Sequence, residues 1–193
     1  MDLRQLIEAY RPCSEAEARD RELMLYALAH FPDVLTRENP VCHFTASNWI
    51  TSPGRDKILM VYHNIYDSWS WTGGHADGET DLLAVALREA REETGLTLTS
   101  MRFRGIVTFV SDRWETEYMH LFTADDYTGR VADCEEGDLE WVPKEKVRDL
   151  PTWEGDRIFL RLLDEDAPFF SLKLVYEGER LKAAFLDGRE LAL

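Results

Sequence analysis

The chain has 193 residues, 45% of them hydrophobic and 31% charged, enough for one globular domain with a full core and a small appendage. A formal net charge of −15 opposes nucleic-acid phosphates and excludes non-specific binding to a nucleic-acid polymer, while a small phosphate compound stays open where a metal ion supplies local positive charge. No run of about 18 apolar residues predicts a membrane span, Met1-Asp2-Leu3-Arg4-Gln5 lacks the pattern of a signal peptide, and the scattered Cys13, Cys42 and Cys134 predict reduced thiols in the cytoplasm.

Leu3 to Tyr10 reads as a short helix. Ser14-Glu15-Ala16-Glu17 is a capping box, after which Leu23, Leu25, Leu28 and Phe31 carry a second helix. Asn39-Pro40 breaks the pattern, so residues 1–39 form a helical extension ahead of one domain over 40–193. Packing against a sheet is the plainest role for that extension; lining a substrate cleft and forming a homodimer interface are the others open to it.

From Val41 to Thr51 the residues turn aromatic and β-branched, Pro53-Gly54-Arg55-Asp56 is a turn, and Lys57 to His63 is an apolar strand. Ser68 to Thr72 is a short strand leading into Gly73-Gly74. A helix follows over about Thr80 to Thr94, with Leu83, Ala86, Leu87 and Ala90 on its buried side and Gly95 as its stop. Arg102 to Val110 and Glu117 to Thr123 are strands, as is Leu139 to Val142; a short helix starts at Lys144 and a longer one spans Trp153 to Leu163. Phe169 to Tyr176 and Leu181 to Leu186 form a last hairpin. Strands alternating with single helices predict an α/β sandwich on a mixed sheet.

The most informative segment is Gly73 to Leu96, G-G-H-A-D-G-E-T-D-L-L-A-V-A-L-R-E-A-R-E-E-T-G-L. Glu89, Glu92 and Glu93, spaced i, i+3 and i+4, share one helix face, where like charges repel unless a cation compensates them. Hard carboxylate oxygens suit a divalent ion such as Mg2+. The segment resembles the Nudix box, G-x5-E-x7-R-E-U-x-E-E-x-G-U with U aliphatic: Gly74, Arg88, Glu89, Glu92, Glu93, Gly95 and Leu96 fall at its spacing, with Ala90 at the aliphatic position. One position departs. The first Glu of the box is Thr80 here, and the carboxylate stands one residue earlier, at Glu79.

The resemblance implies the Nudix α/β/α sandwich and Mg2+-dependent hydrolysis of a phosphoanhydride, with Mn2+ able to substitute. It makes Glu89, Glu92, Glu93 and the backbone of Gly74 the metal site, with Glu93 the least dispensable, and gives Arg88 the task of tethering the preceding loop through the first Glu. A further carboxylate, as ligand or general base, falls at Glu136 in Cys134-Glu135-Glu136-Gly137-Asp138-Leu139-Glu140-Trp141, with Glu135 next to it. The C-terminal half, including Pro151-Thr152-Trp153-Glu154-Gly155-Asp156 and Phe169-Phe170-Ser171, is similar to MutT-like 8-oxo-dGTP diphosphatases, which implies a purine stacked on Trp153 with its edge at Asp156. An acidic position of vertebrate members is Gly155 here. His75, after the double Gly, is a further candidate for a phosphate or water contact; His43, His63 and His120 read as packed strand residues.

A small-molecule nucleotide is therefore the expected substrate, cleaved as a nucleoside triphosphate or other nucleoside diphosphate derivative. Two alternatives share the fold. An isopentenyl diphosphate isomerase needs a Cys in a segment where none of Cys13, Cys42 and Cys134 lies; a non-catalytic nucleotide-binding module would not need all three box carboxylates.

Overall fold

The computed structural model describes residues 3–12, 15–64 and 67–193 of the chain. Helix α1 (Leu3–Ala9) and helix α2 (Glu15–His30) precede the sheet strands. Ser14, the expected cap of α2, lies outside the described residues. Strands β1 (Cys42–Ile50) and β2 (Lys57–His63) match the two strand readings. The next expected strand divides into β3 (Ser68–Ser70) and β4 (Thr72–His75), which enter different sheets.

Helix α3 (Leu82–Thr94) is followed by β5 (Thr97–Leu98), β6 (Arg102–Ser111), β7 (Thr116–Ala124), β8 (Tyr127–Thr128) and β9 (Gly137–Pro143). Helices α4 (Lys144–Val147) and α5 (Asp156–Asp164) and strands β10 (Phe170–Glu177), β11 (Arg180–Leu186) and β12 (Arg189–Glu190) complete the chain. Helix α5 begins three residues later than its apolar pattern suggests. The Asp156 carboxylate accepts the Trp153 N–H at 3.1 Å and closes a turn there.

A seven-stranded sheet runs in the order β12-β11-β10-β6-β7-β1-β4. It is mixed: β1 lies parallel to β7 and β10 to β6, while the other neighbours are antiparallel. A second sheet, β3-β2-β9, is antiparallel. Against one face of the large sheet pack α1, α2 and the start of α3, through Leu3, Ile7, Met24, Leu82, Val85 and Ala86 on Phe44, Tyr118 and Phe122. Against the other packs α5, whose Phe159, Leu160 and Leu163 meet Val107, Met119, Leu121 and Leu172 together with Ile58 and Met60 of the second sheet.

Strand β1 is buried along its whole length, as expected of a strand flanked by β7 and β4 and covered on both faces. Its alternation still sorts the side chains: Cys42, Phe44 and Ala46 join the core under α3, while Trp49 joins the α5 side. His43, Thr45 and Ser47 share the α5-side parity and are buried polar residues.

In α3, Asp81 caps the first turn by accepting the N–H groups of Leu83 and Ala84 at 3.0 and 3.1 Å. The left-handed Gly95 ends it with φ 75°. The buried row is Leu82, Val85, Ala86, Ala90 and Glu93; Leu83, expected inside, is exposed, because capping at Asp81 turns the preceding residue inward.

His120, on the α3 side of β7, is buried, with its Nδ1 3.1 Å from the Tyr118 carbonyl. Burial pushes its pKa down from 6.5 to about 4. Below pH 6.5 the unfolded chain therefore takes up a proton that the native state refuses, so folding stability falls from pH 6.5 down to about 4. The slope reaches about 1.4 kcal/mol per pH unit from this group. Urea unfolding of His120→Asn across that window is expected to show a shallower decline than the parent; identical slopes would exclude His120 as its source.

Candidate active site

The box residues meet where β4 runs beside β1 and past the last turns of α3. Antiparallel pairing sets Thr45 opposite His75, Ala46 opposite Gly74 and Ser47 opposite Gly73. Gly73 is fixed by the β1 backbone at this crossing, while Gly74 leaves room for the Glu89 carboxylate. A Cβ on Gly73 would sit 2.6 Å from the Ala46 carbonyl oxygen, and one on Gly74 2.6 Å from Oε2 of Glu89.

Glu93 points back from α3 and accepts the Gly73 N–H at 3.0 Å. Only 8% of its surface is exposed. Burial, then Glu136, Glu89 and Glu92, push its pKa up to about 8, against the lowering effect of the Gly73 N–H. Glu136, from the turn ahead of β9, is near enough for its charge to raise the Glu93 pKa. It is half exposed and lies 3.6 Å from Nε2 of His63.

Arg88 donates to Oε1 of Glu89 at 2.6 Å and, more weakly, to the His75 carbonyl at 3.4 Å; its Nε is 3.9 Å from Glu92. Glu79 does not take part. Its Oε1 accepts the N–H groups of Thr80 and Asp81 at 2.7 and 2.9 Å, capping the chain just ahead of α3. The tether from the first carboxylate to the Arg is not formed, because the one-residue shift gives the Glu79 carboxylate nearby backbone donors.

The donor set fits a hard divalent cation. It consists of carboxylate oxygens beside a close-packed glycine pair, and Glu93 carries a charge penalty that a cation would offset. Among the described residues no three His, Cys, Asp or Glu side chains are grouped closely enough to hold a metal ion as they stand. Glu89 is engaged by Arg88 and Glu92 is largely exposed.

On the α5 side of the sheet a second polar group adjoins. Thr45 donates to Glu117 at 2.6 Å, and the His43 ring lies 4.8 Å from that of His75. Nδ1 of His43 is buried without a hydrogen-bond partner. Burial, then His43 and Arg37, hold the His75 pKa below its usual value. Asp156 faces this group: burial first, with Glu117 adding, pushes its carboxyl up to about 7. Trp153 sits beside it in an aromatic nest, 5.4 Å from Trp114, 5.2 Å from Tyr176 and 6.0 Å from Phe109. Gly155 is explained locally: its N–H donates to the Tyr176 hydroxyl at 2.7 Å, and a Cβ would meet that oxygen at 2.6 Å.

Sequence reasoning placed Glu89, Glu92, Glu93, Glu136, Arg88, Gly74 and His75 in one region, and Trp153 with Asp156 in another. The fold brings the two within reach through β1, β4 and β7. It adds Thr45, Glu117 and Trp114, which the sequence reading passed over, and His43, which it read as a packed strand residue. Buried polar residues on one face of an otherwise apolar strand were the available signal for Thr45 and His43. An apolar cavity of about 280 Å³ lies elsewhere, between α1, α2 and Phe103, Phe122 and Phe169. None of the box carboxylates lines it.

With this geometry in hand, the chain can be compared with known proteins. The NUDIX domain family model matches residues 43–163. The Bacillus subtilis Nudix hydrolase YvcI is 33% identical over 106 residues, 52% of this chain and 67% of that protein. An oxidized purine nucleoside triphosphate hydrolase of Danio rerio is 31% identical over 117 residues, 59% of this chain and 74% of that protein. Among solved structures, a MutT protein from Bacillus halodurans superposes with a TM-score of 0.68 at 23% identity, covering 75% of this chain and 97% of that one, which shows the shared fold.

Gly74→Ala is expected to displace the Glu89 carboxylate, weakening divalent-metal affinity about tenfold or more with little change in melting temperature. Calorimetric titration with Mn2+ reads this directly, and parent-like affinity would refute the close approach of Gly74 to the metal site. The matched domain, the box at its spacing and the carboxylates gathered at Gly73-Gly74 together place this chain in the Nudix domain family, as a hydrolase of phosphoanhydride bonds.

Proposed function

We propose that this protein is a Mg2+-dependent pyrophosphohydrolase of nucleoside triphosphates or other nucleoside diphosphate derivatives, with oxidised purine nucleotides such as 8-oxo-dGTP as preferred substrates and Mn2+ able to replace Mg2+. The observation that carries the reading is the buried Glu93 seated on the Gly73 N–H with Glu136 alongside. Glu89, Glu92, Glu93 and the Gly74 backbone would hold the metal. When bound, the ion offsets charge on the phosphate oxygens and acidifies water.

The protein's own part is positioning and proton transfer. Glu136, half exposed and next to Glu93, accepts the proton of the attacking water. The water oxygen bonds to phosphorus, the bridging P–O bond breaks, and the electron pair leaves on the departing phosphate. Arg88 holds Glu89 and, through the His75 carbonyl, the preceding loop. His75 borders the phosphate path from β4.

The base preference is supported by Trp153 and Asp156. The indole is only partly buried in its aromatic nest and offers a flat surface for a purine. With its pKa pushed up to about 7, the Asp156 carboxyl retains a proton over a wider range than an ordinary carboxylate and can both donate to and accept from a base edge. The relative from Danio rerio, named for oxidised purine nucleotides, favours the same class. Against the isomerase alternative, Cys42 is buried in the core under α3.

A panel of ordinary and oxidised nucleoside triphosphates, dinucleoside polyphosphates and nucleotide sugars, assayed with Mg2+ and with Mn2+, tests the substrate. Preference for a nucleotide sugar over every oxidised purine would overturn the base assignment. Glu93→Gln keeps an acceptor for the Gly73 N–H, so the fold should survive while kcat falls about a hundredfold or more. Near-parental turnover by that variant would remove Glu93 from the machinery.

A further inference from the structure

The loop between β4 and α3 carries the departure from the box pattern, and a different segment holds it. Ala76 anchors its start: the residue is fully buried and its N–H donates to the Phe44 carbonyl at 3.0 Å. Glu79 anchors its end on the Thr80 and Asp81 amides. The tip between them, Asp77-Gly78, has positive φ at both residues and reaches the segment after α2. Arg37 donates through Nε and Nη2 to the two oxygens of Asp77, at 3.2 and 2.9 Å, and the Leu35 carbonyl accepts the Gly78 N–H at 2.9 Å.

We propose that Arg37, with the Leu35 carbonyl, is a positioning clasp for this loop, taking over from outside the domain the tethering that the first box carboxylate does not provide here. The connection to the chemistry is short. The loop begins at His75, whose carbonyl accepts from Arg88; Arg88 grips Glu89; and Glu89 lies against Gly74. A slack tip therefore loosens the carboxylate that Gly74 must meet. The Arg37–Asp77 pair is exposed, so its share of global stability is small. Its two-point geometry instead fixes direction, which a single lysine contact cannot do. The inference rests on the proposed hydrolase activity only for its catalytic consequence.

Two readouts separate the possibilities. Amide exchange at Gly78 and Glu79, followed by NMR, should accelerate in Arg37→Ala and in Asp77→Asn, with the β1 and β7 amides unchanged. In nucleotide hydrolysis at saturating Mg2+, each variant should lose kcat about fivefold with KM little altered, as for residues acting through a packed network. Combining the two should cost no more than either alone, and Arg37→Lys should recover part of the loss. Unchanged exchange at Gly78 in both variants would overturn the clasp, as would faster exchange with unaltered kcat. A raised KM in Arg37→Ala with a silent Asp77→Asn would instead make Arg37 a direct substrate contact. Should the parent hydrolyse no nucleotide, the functional reading fails, and Gly78 exchange still decides the clasp.

Discussion

The hydrogen bond from the Gly73 N–H to the Glu93 carboxylate joins the two halves of the box, strand β4 and the last turns of α3. It puts an acid inside the protein, where its charged form is disfavoured and its neighbours Glu136, Glu89 and Glu92 disfavour it further. Such an arrangement is costly as folding chemistry and sensible as ligand chemistry, because the attraction of a divalent cation would offset those penalties. The glycines follow from it. Strand β4 must lie close enough to α3 for its backbone to bond Glu93 and for Glu89 to press on Gly74, and a Cβ at either glycine would occupy that space.

The sheet order explains why two separate polar groups share one neighbourhood. Strand β1 runs between β4 and β7, so His75 lies opposite Thr45 while Glu117 bonds Thr45 from the other side. The pleat then directs these polar residues towards Asp156 and Trp153 rather than into the apolar core under α3. The N-terminal helices belong to this economy as well. They cover the α3 face of the sheet through Leu3, Ile7 and Met24, and the segment after them reaches the loop that leads into α3.

The box helix was readable because its pattern is local: an Asp cap, apolar residues at helical spacing, an acidic face and a terminal glycine all lie within one continuous segment. The same locality made the longer strands β1, β2, β6, β7, β9, β10 and β11 legible, while the two-residue β5, β8 and β12 carry no pattern of their own. Errors arose where a local pattern met a tertiary demand. Ser68 to Thr72 looked like one strand, yet Trp71 ends β3's pairing and β4 continues into Gly73, Gly74 and His75 beside β1. Trp153 looked like the first residue of a helix, yet the Asp156 turn holds it out in an aromatic nest.

By itself the sequence determined the α/β class, the helix that carries Glu89, Glu92 and Glu93, and the Nudix hydrolase class, since each depends on residues a few positions apart. Only the tertiary structure decided which distant groups lie near the box residues and the strands beside them. Glu136 comes near Glu93, Glu117 comes to Thr45 through the pairing of β1 with β7, and Arg37 comes to Asp77 from 40 residues away in the chain. Nor could spacing alone say whether Glu79 would reach Arg88. Once the chain turns at Asp77 and Gly78, the Thr80 and Asp81 amides are nearer donors, and the carboxylate is spent on them. Contacts of that kind are set by where the backbone passes in space, which no local periodicity encodes.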